Sequence, residues 1–194
     1  MKSKKNEKPT FIYAVTMQNH GPYLDTRYGD NTEKIVDSYS SETNQILNTY
    51  GTGIIHSDNA LHSLFDTLGS LKEPTLVVFF GDHLPALGNV YNELNYKSNN
   101  FLEQELNMKK TPLVVWNNFD KEIDEIGAIS SSFLAPKIME WAELDSPSYY
   151  SFLSNFSKLL PGYTSVVKLS GEGDLFTETP KELSEKEYIS INSI

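Results

Sequence analysis

The sequence lacks cysteine and is poor in basic residues. Among its 194 residues there is no Cys, which excludes a disulfide scaffold, a thiolate zinc site, an iron–sulfur cluster and a cysteine nucleophile. The 16 Lys and Arg residues are outnumbered by 26 Asp and Glu, for a formal net charge of −10. The only dense basic run is Lys2, Lys4 and Lys5. Because binding to nucleic-acid phosphates needs clustered cations, we expect no nucleic-acid partner.

Other common signals are also missing. No apolar run approaches the ~18 residues that span a bilayer, and no signal-peptide core follows the basic start. The nucleophile elbow GxSxG, the phosphate-binding GxxxxGK(S/T) and the dinucleotide-binding GxGxxG do not occur. What is present is 39% hydrophobic and 12% aromatic residues, which is enough to bury the core of one domain.

Three short apolar runs predict buried strands. They are FIYAVTM (11–17), TLVVFF (75–80) and PLVVW (112–116), and each stops at a polar or glycine-containing turn. Amphipathic, helix-like stretches lie between and after them. This alternation predicts an α/β fold with a mostly parallel sheet flanked by helices, because continuous apolar strands suit a sheet covered on both faces.

The first helical stretch is predicted from about Tyr39, and Gly51 and Gly53 weaken its pattern. A clearer helix follows, with Ser57 or Asp58 placed to cap its start. Its apolar stripe has the spacing i, i+3, i+4, i+7 and consists of Leu61, Leu64, Phe65 and Leu68.

Asp82 and His83 are the strongest chemical signal in the chain. They follow Gly81 at the carboxyl end of an apolar run, where α/β sheets place their ligands. One carboxylate oxygen and one imidazole nitrogen suit Zn²⁺ or Mn²⁺ better than Ca²⁺, and Gly81 would let the backbone turn so that both face one ion. The alternative is that Asp82 caps a turn and His83 is an ordinary loop histidine.

His20 also follows an apolar run, within the polar turn 18–22. An imidazole at a strand end could contact an anionic or hydroxylated substrate. The alternative is a turn residue ordered by the following Gly21 and Pro22. From spacing alone both interpretations stay open.

Five stretches together resemble the lipoteichoic acid synthase and phosphoglycerol transferase group of the sulfatase and alkaline phosphatase superfamily. In chain order they are VTMQNHGPY (15–23), IHSDNAL (55–61), VVFFGDHLP (77–85), TPLVV (111–115) and GDLF (173–176). The combination of the Gly-Asp-His motif after an apolar strand with Asn-His-Gly-Pro upstream is fairly specific. The resemblance runs from about Phe11 to Phe176 and implies an alkaline-phosphatase-like fold, present in part.

The resemblance implies a role for each matching residue. Asp82 and His83 would bind a single divalent ion, most commonly Mn²⁺, and His20 would line the substrate pocket near the phosphate and the glycerol. The substrate would be a phosphatidylglycerol-type lipid or a glycerol phosphate polymer. The family's threonine nucleophile, a glutamate ligand and an arginine have no counterpart before Phe11, so no catalytic nucleophile is assigned within the chain.

The resemblance therefore predicts that residues 8–176 are the carboxyl-terminal part of a catalytic domain, followed by a polar acidic tail, 177–194. The missing amino-terminal part of the same domain would be a partner. The parent protein would be anchored in the cell membrane with this region extracellular, and the fragment alone would be inactive. Two alternatives remain: a sulfatase or phosphodiesterase of the same superfamily, and a non-catalytic α/β binding module.

Overall fold

The computed structural model describes residues 9–96 and 98–178, and the chain divides into two compact units, one up to Asp58 and one from Asn59. The predicted tail therefore lies, from residue 179 onward, outside the described residues. The helices are α1 (Ser41–Gly69), α2 (Val90–Glu93), α3 (Phe101–Asn107), α4 (Leu134–Trp141) and α5 (Ser148–Leu159). The strands are β1 (Leu76–Phe80), β2 (Leu113–Asn117), β3 (Gly162–Tyr163), β4 (Lys168–Leu169) and β5 (Leu175–Phe176). Of the helices described, none has the length and apolarity needed to cross a lipid bilayer.

In the first unit, α1 holds the irregular segment before it through polar side chains. The Asn48 side chain accepts hydrogen bonds from the N–H groups of Ile35 and Val36 at 2.8 and 2.9 Å and donates to Val36 O at 3.0 Å. The fully buried Thr52 accepts from Glu33 N at 2.9 Å. Buried polar groups are stable only when they are hydrogen-bonded, so this helix face pairs with backbone rather than with an apolar layer.

The two glycines of α1 explain how the segment comes so close. A Cβ on Gly51 would lie 2.2 Å from Ile35 Cδ1, and one on Gly53 would lie 1.7 Å from Asn19 Oδ1. The helix runs unbroken through both positions. The glycines are therefore sites of close approach, and a residue with a side chain would displace the side chains of Ile35 and Asn19.

The predicted helix start at Ser57 or Asp58 is wrong. Both residues lie inside α1, and Ser57 Oγ donates to Gly53 O at 3.0 Å, a bond to the preceding helical turn. The reason is that the glycine pair accommodates packing instead of breaking the helix. In the later part of α1, one residue of the predicted apolar stripe packs on the sheet: Phe65 stacks on Trp116, with ring centroids 5.1 Å apart.

The prediction of a buried strand at 11–17 is also wrong. This segment belongs to no strand of the described sheets. Phe11, Ile12 and Tyr13 are 71–80% exposed, and Val15 and Met17 are exposed as well. A run of β-branched and aromatic residues favours an extended backbone, but burial also needs a partner strand, and within residues 9–96 and 98–178 none pairs with it.

In the second unit, β1 and β2 form a two-stranded antiparallel sheet. Val78 lies opposite Val115, and the register extends from Leu76 with Asn117 to Phe80 with Leu113. Both strands were predicted to within one residue, but the described pairings of all five strands are antiparallel and correct the expected parallel orientation. A short apolar run indicates burial without indicating direction.

The core of the second unit lies around α4, α5 and the small sheet β3–β4–β5. Its most deeply buried apolar side chains include Phe133, Trp141 and Val167, at 1–4% exposure. Helix α5 ends at Leu159, two residues before Pro161, which has no N–H group to continue a helix. By contrast, the β1–β2 sheet is only partly covered in the described residues: Phe79, Phe80 and Val114 remain 38–39% exposed.

Candidate active site

The Asp82–His83 pair sits where β1 leaves its sheet. Gly81 N donates to Pro112 O at 3.2 Å, and Thr111 Oγ1 donates to Gly81 O at 2.6 Å. A Cβ on Gly81 would lie 3.1 Å from Thr111 Cβ, and Gly81 has no positive φ. Gly81 therefore permits a tight contact with the neighbouring strand end and does not form the sharp turn that we expected.

The side chains of Asp82 and His83 converge. Asp82 Oδ2 lies 3.5 Å from His83 Nε2, and Asp82 Oδ1 accepts a hydrogen bond from His83 N at 2.9 Å. His83 Nδ1 is 2.8 Å from Leu84 O, so this nitrogen carries the proton and donates it to the carbonyl. In the neutral tautomer that this bond selects, the lone pair is on Nε2, which is the nitrogen next to the carboxylate.

This arrangement fits two ligands of one divalent ion. Metal bonds of about 2.1 Å at a tetrahedral angle separate two donor atoms by about 3.4 Å, close to the observed spacing. A metal-binding histidine typically donates its other N–H to a carbonyl, as His83 does to Leu84. In the described part of the chain, no group of three or more His, Asp or Glu side chains is positioned to hold a metal ion. Any further ligands would have to come from elsewhere.

The segment after the pair is anchored. Leu87 and Val90 are buried at 6% and 1% exposure, and Tyr91 Oη donates to Pro85 O at 2.6 Å. The Asp82 and His83 side chains themselves are 79% and 66% exposed. The site is thus an open turn held between an anchored strand and an anchored loop.

His20 belongs to the first unit and lies in an exposed turn. Its backbone N–H donates to Met17 O at 3.1 Å, and its Nδ1 donates to Gly21 O at 2.8 Å. As at His83, the backbone carbonyl fixes the tautomer and leaves Nε2 as the acceptor nitrogen. An imidazole held this way can accept a hydrogen bond from a hydroxyl group or, when protonated, donate one to a phosphate oxygen.

Two anchors that the sequence interpretation missed hold this turn against α1. Tyr23 is buried, donates its hydroxyl to Asn19 O at 2.7 Å and packs edge-to-face on Tyr50. Burial, and to a lesser extent Tyr50, raises the pKa of the Tyr23 hydroxyl, so the donor keeps its proton. Gln45 Nε2 donates to Leu24 O at 2.7 Å.

Arg27 is the third anchor and was also missed. Its guanidinium donates to Asp25 from Nε at 2.8 Å and from Nη2 at 2.7 Å, to Gln18 O at 3.0 Å and to His20 O at 2.9 Å, and also to Pro22 O. The hydrogen bonds that Asp25 accepts from Arg27 lower the pKa of the Asp25 carboxyl below its ordinary value. The charged pair Asp25 and Arg27 is visible in the sequence, but the carbonyl partners of Arg27 depend on how the turn folds.

The remaining histidines have structural surroundings. His56 Nδ1 accepts from the Gln18 amide at 3.3 Å, and its ring packs edge-to-face on Tyr28. His62 pairs with Asp66 one helical turn later, at 3.2 Å between Nδ1 and Oδ2. Both members of the second pair are more than 70% exposed, so His62 is solvated.

Known proteins resemble this chain in sequence and in fold. The sulfatase family profile matches residues 1–144. A Rhizobium meliloti protein named for cyclic beta-1,2-glucan modification is 39% identical over 153 residues, which cover 76% of this chain and 24% of that protein. The capsular polysaccharide biosynthesis protein RkpI of the same organism is 37% identical over 81 residues, 42% of this chain and 13% of that protein.

Among solved structures, the Streptococcus pyogenes phosphoglycerol transferase GacH in complex with sn-glycerol-1-phosphate shares the fold. Its TM-score is 0.62 at 24% identity, over 91% of this chain and 42% of GacH. The chain thus spans less than half of GacH and about a quarter of the first Rhizobium relative.

The chain belongs to the sulfatase family, and its fold is the α/β, alkaline-phosphatase-like fold that the motifs predicted. Members of this superfamily generally use a divalent metal ion. The convergent Asp82 and His83 are compatible with that chemistry. The roles of Asp82, His83 and His20, and the predicted boundaries 8–176 and 177–194, stay predictions.

Proposed function

We propose that this chain is part of the catalytic domain of a metal-dependent phosphoglycerol transferase that takes phosphoglycerol from a lipid of the phosphatidylglycerol type. The observation that carries the proposal is the 3.5 Å approach of Asp82 Oδ2 to His83 Nε2 in an open turn. The fold shared with GacH, whose structure contains sn-glycerol-1-phosphate, supports this choice of substrate.

In this proposal Asp82 and His83 are two ligands of a divalent ion, with Mn²⁺ as the expected one. When bound, such an ion lowers the pKa of a hydroxyl nucleophile and neutralises charge on the phosphoryl oxygens. His20 binds the phosphate or a glycerol hydroxyl through Nε2, since its Nδ1 is bonded to Gly21 O. Residues outside this chain supply the threonine nucleophile, a further glutamate ligand and an arginine.

The overall reaction moves one group. The P–O bond to the lipid breaks, a P–O bond to the acceptor hydroxyl forms, and the hydroxyl proton ends on the diacylglycerol leaving group. We propose a polysaccharide as the acceptor, supported by two relatives that are named for glucan modification and capsular polysaccharide biosynthesis. A lipid donor and a polysaccharide acceptor also support a membrane-anchored parent protein with this region extracellular.

Binding of Mn²⁺ by the 194-residue chain tests the metal site directly. We expect weak binding of one ion per chain, measured from the electron paramagnetic resonance of free Mn²⁺, and its loss in Asp82→Asn and His83→Ala. The matched control is the second exposed Asp–His pair, so His62→Ala and Asp66→Asn should bind as the wild type does. Equal loss in both pairs, or retention in Asp82→Asn, would contradict the assignment.

Activity tests the reaction. In a longer protein that carries this chain, Asp82→Ala and His83→Ala should abolish transfer from a fluorescent phosphatidylglycerol analogue to a glucan. The 194-residue chain alone should have negligible activity, and turnover by it would contradict the proposed division of the site.

The family description favours a second candidate, a sulfatase or phosphodiesterase. The longer protein is therefore also assayed for hydrolysis of an aryl sulfate and of a phosphodiester. Hydrolysis that exceeds transfer would favour this candidate. Full activity of both alanine variants would instead indicate a non-catalytic binding module.

A further inference from the structure

The turn that carries His20 is organised by a single guanidinium group. An arginine has five N–H donors in a rigid plane. In Arg27, Nη1 donates to Gln18 O and His20 O, Nη2 to Pro22 O and Asp25, and Nε to Asp25. The three carbonyl acceptors lie on alternate residues, with His20 in the middle.

All five donors of Arg27 are therefore engaged. None remains for a phosphate oxygen, and the Asp25 carboxylate balances the positive charge at 2.7 Å. Arginine commonly binds a phosphate bidentately, through two N–H groups that point at its oxygens. In this conformation Arg27 has no N–H group left for such a contact, although it lies in a turn proposed to bind a phosphate.

The consequence for His20 is geometric. The guanidinium fixes the carbonyls of residues 18, 20 and 22, and the carbonyl of Gly21 between them receives the Nδ1 proton of His20. The position of the imidazole and its tautomer thus both depend on a backbone that Arg27 holds. A lysine could not replace it, because an ammonium group has three donors and no planar fork.

We propose that Arg27 is a positioning residue: it holds the turn 18–22 so that Nε2 of His20 meets the phosphate of the substrate, and it does not bind the phosphate itself. The inference deepens the proposed function and rests on it, since it takes His20 as the substrate-binding residue.

A double-mutant cycle in the full 194-residue chain tests this, with sn-glycerol-1-phosphate binding followed by NMR. We expect His20→Ala to weaken binding about tenfold, the loss of one hydrogen bond to a charged group. Arg27→Ala should weaken it by a similar factor, and the double variant should bind no more weakly than His20→Ala. Free guanidinium ion should partly restore Arg27→Ala, and Arg27→Lys should not restore binding.

A second readout needs no ligand. The ¹⁵N signals of the His20 ring should report the Nδ1–H tautomer in the wild type and a mixture in Arg27→Ala. The matched control is Lys34→Ala, which removes another cation paired with a nearby aspartate, Asp37, and should leave both readouts unchanged.

The possible outcomes separate a failure of the positioning role of Arg27 from a failure of the proposed role of His20. If the effects of His20→Ala and Arg27→Ala add in the double variant, or the tautomer is unchanged in Arg27→Ala, the positioning role is wrong while His20 remains the ligand. If His20→Ala binds as the wild type does, or the wild type does not bind, the proposed function of His20 fails and this inference fails with it.

Discussion

The His20 turn and the Asp82–His83 turn both present a histidine Nε2 atom in an exposed turn, but different contacts stabilise them. Each histidine donates Nδ1–H to the carbonyl of the next residue, so Nε2 is the ring nitrogen that can contact a ligand. The His20 turn is held from outside by Arg27, Tyr23 and the close approach to Gly53. The Asp82–His83 turn is held by its two flanks, and its side chains are mostly solvated.

The difference teaches what each turn can tolerate. A turn held by side chains just outside it, as Arg27 and Tyr23 hold the His20 turn, is preorganised, and we expect its geometry to be lost when one of them is removed. A turn with two convergent, solvated donors is completed by what it binds. Substitutions outside the turn should therefore disturb the His20 turn, whereas the Asp82–His83 turn should respond to metal binding.

The largest effect is expected from Gly53→Ala. The new Cβ would lie 1.7 Å from Asn19 Oδ1, 2.8 Å from Asn19 Cγ and 2.9 Å from Tyr28 Oη, so these side chains must move. We expect a net destabilisation of about 2 kcal/mol, because such overpacking costs up to about 3 kcal/mol and the gain in helix propensity is about 1 kcal/mol. Urea unfolding followed by amide NMR signals of residues 18–27 measures it. The control Gly69→Ala, with Trp116 at 3.7 Å, should be neutral or stabilising; equal effects would contradict the close approach as the cause.

Asn118→Ala should destabilise the second unit by about 1–2 kcal/mol, since one side chain bonds to four backbone groups. Its Nδ2 donates to the carbonyls of Leu68, Leu71 and Glu73, and its Oδ1 accepts from Thr75 N at 2.6 Å. Both tryptophans, Trp116 and Trp141, lie in this unit, so tryptophan fluorescence during urea unfolding reports on it.

Asn92→Ala is the control for that measurement, because the hydrogen bond of its exposed side chain goes to another side chain, Asn89 Oδ1, at 2.9 Å. It should leave the fluorescence midpoint within experimental error. A shift as large as that of Asn118→Ala would mean that the hydrogen bonds of the Asn118 side chain are not what stabilises the second unit.

Mn²⁺ should stabilise the second unit and leave the His20 turn unchanged. At ten times the dissociation constant, mass action contributes about 1.4 kcal/mol, and a chelator should reverse it. Thermal unfolding monitored by tryptophan fluorescence checks this, with His83→Ala expected to show no response. Equal Mn²⁺ stabilisation in His83→Ala would place the ion elsewhere.

The smallest effect is a pH dependence confined to the His20 turn. Arg27 lowers the pKa of Asp25, so this pair stabilises the turn fully above the ordinary aspartate pKa of about 3.9, and the contribution is lost as pH falls through the lower, folded value. Over this pH range, hydrogen exchange of the His20 amide, which donates to Met17 O, should become faster relative to its intrinsic rate. Asp37→Asn should not alter the profile, whereas Asp25→Asn should remove it.

Much of the local structure was predictable. The runs TLVVFF and PLVVW became β1 and β2 to within one residue, and the Gly-Asp-His motif follows β1 as expected. The family was also predictable, because its motifs are contiguous and keep their order along the chain. Local patterns of this kind depend on residues that are neighbours in sequence, so a single sequence carries them.

What the sequence by itself determined was therefore the strands β1 and β2, the superfamily and the chemical types of the candidate ligands. The tertiary structure alone decided the antiparallel pairing, the exposure of segment 11–17, the continuity of α1 through Gly51 and Gly53, and the clamp of Arg27 on the His20 turn. The physical reason is that each of these depends on which parts of the folded chain come within contact distance. Apolar runs and isolated glycines are compatible with several such arrangements, and packing selects among them.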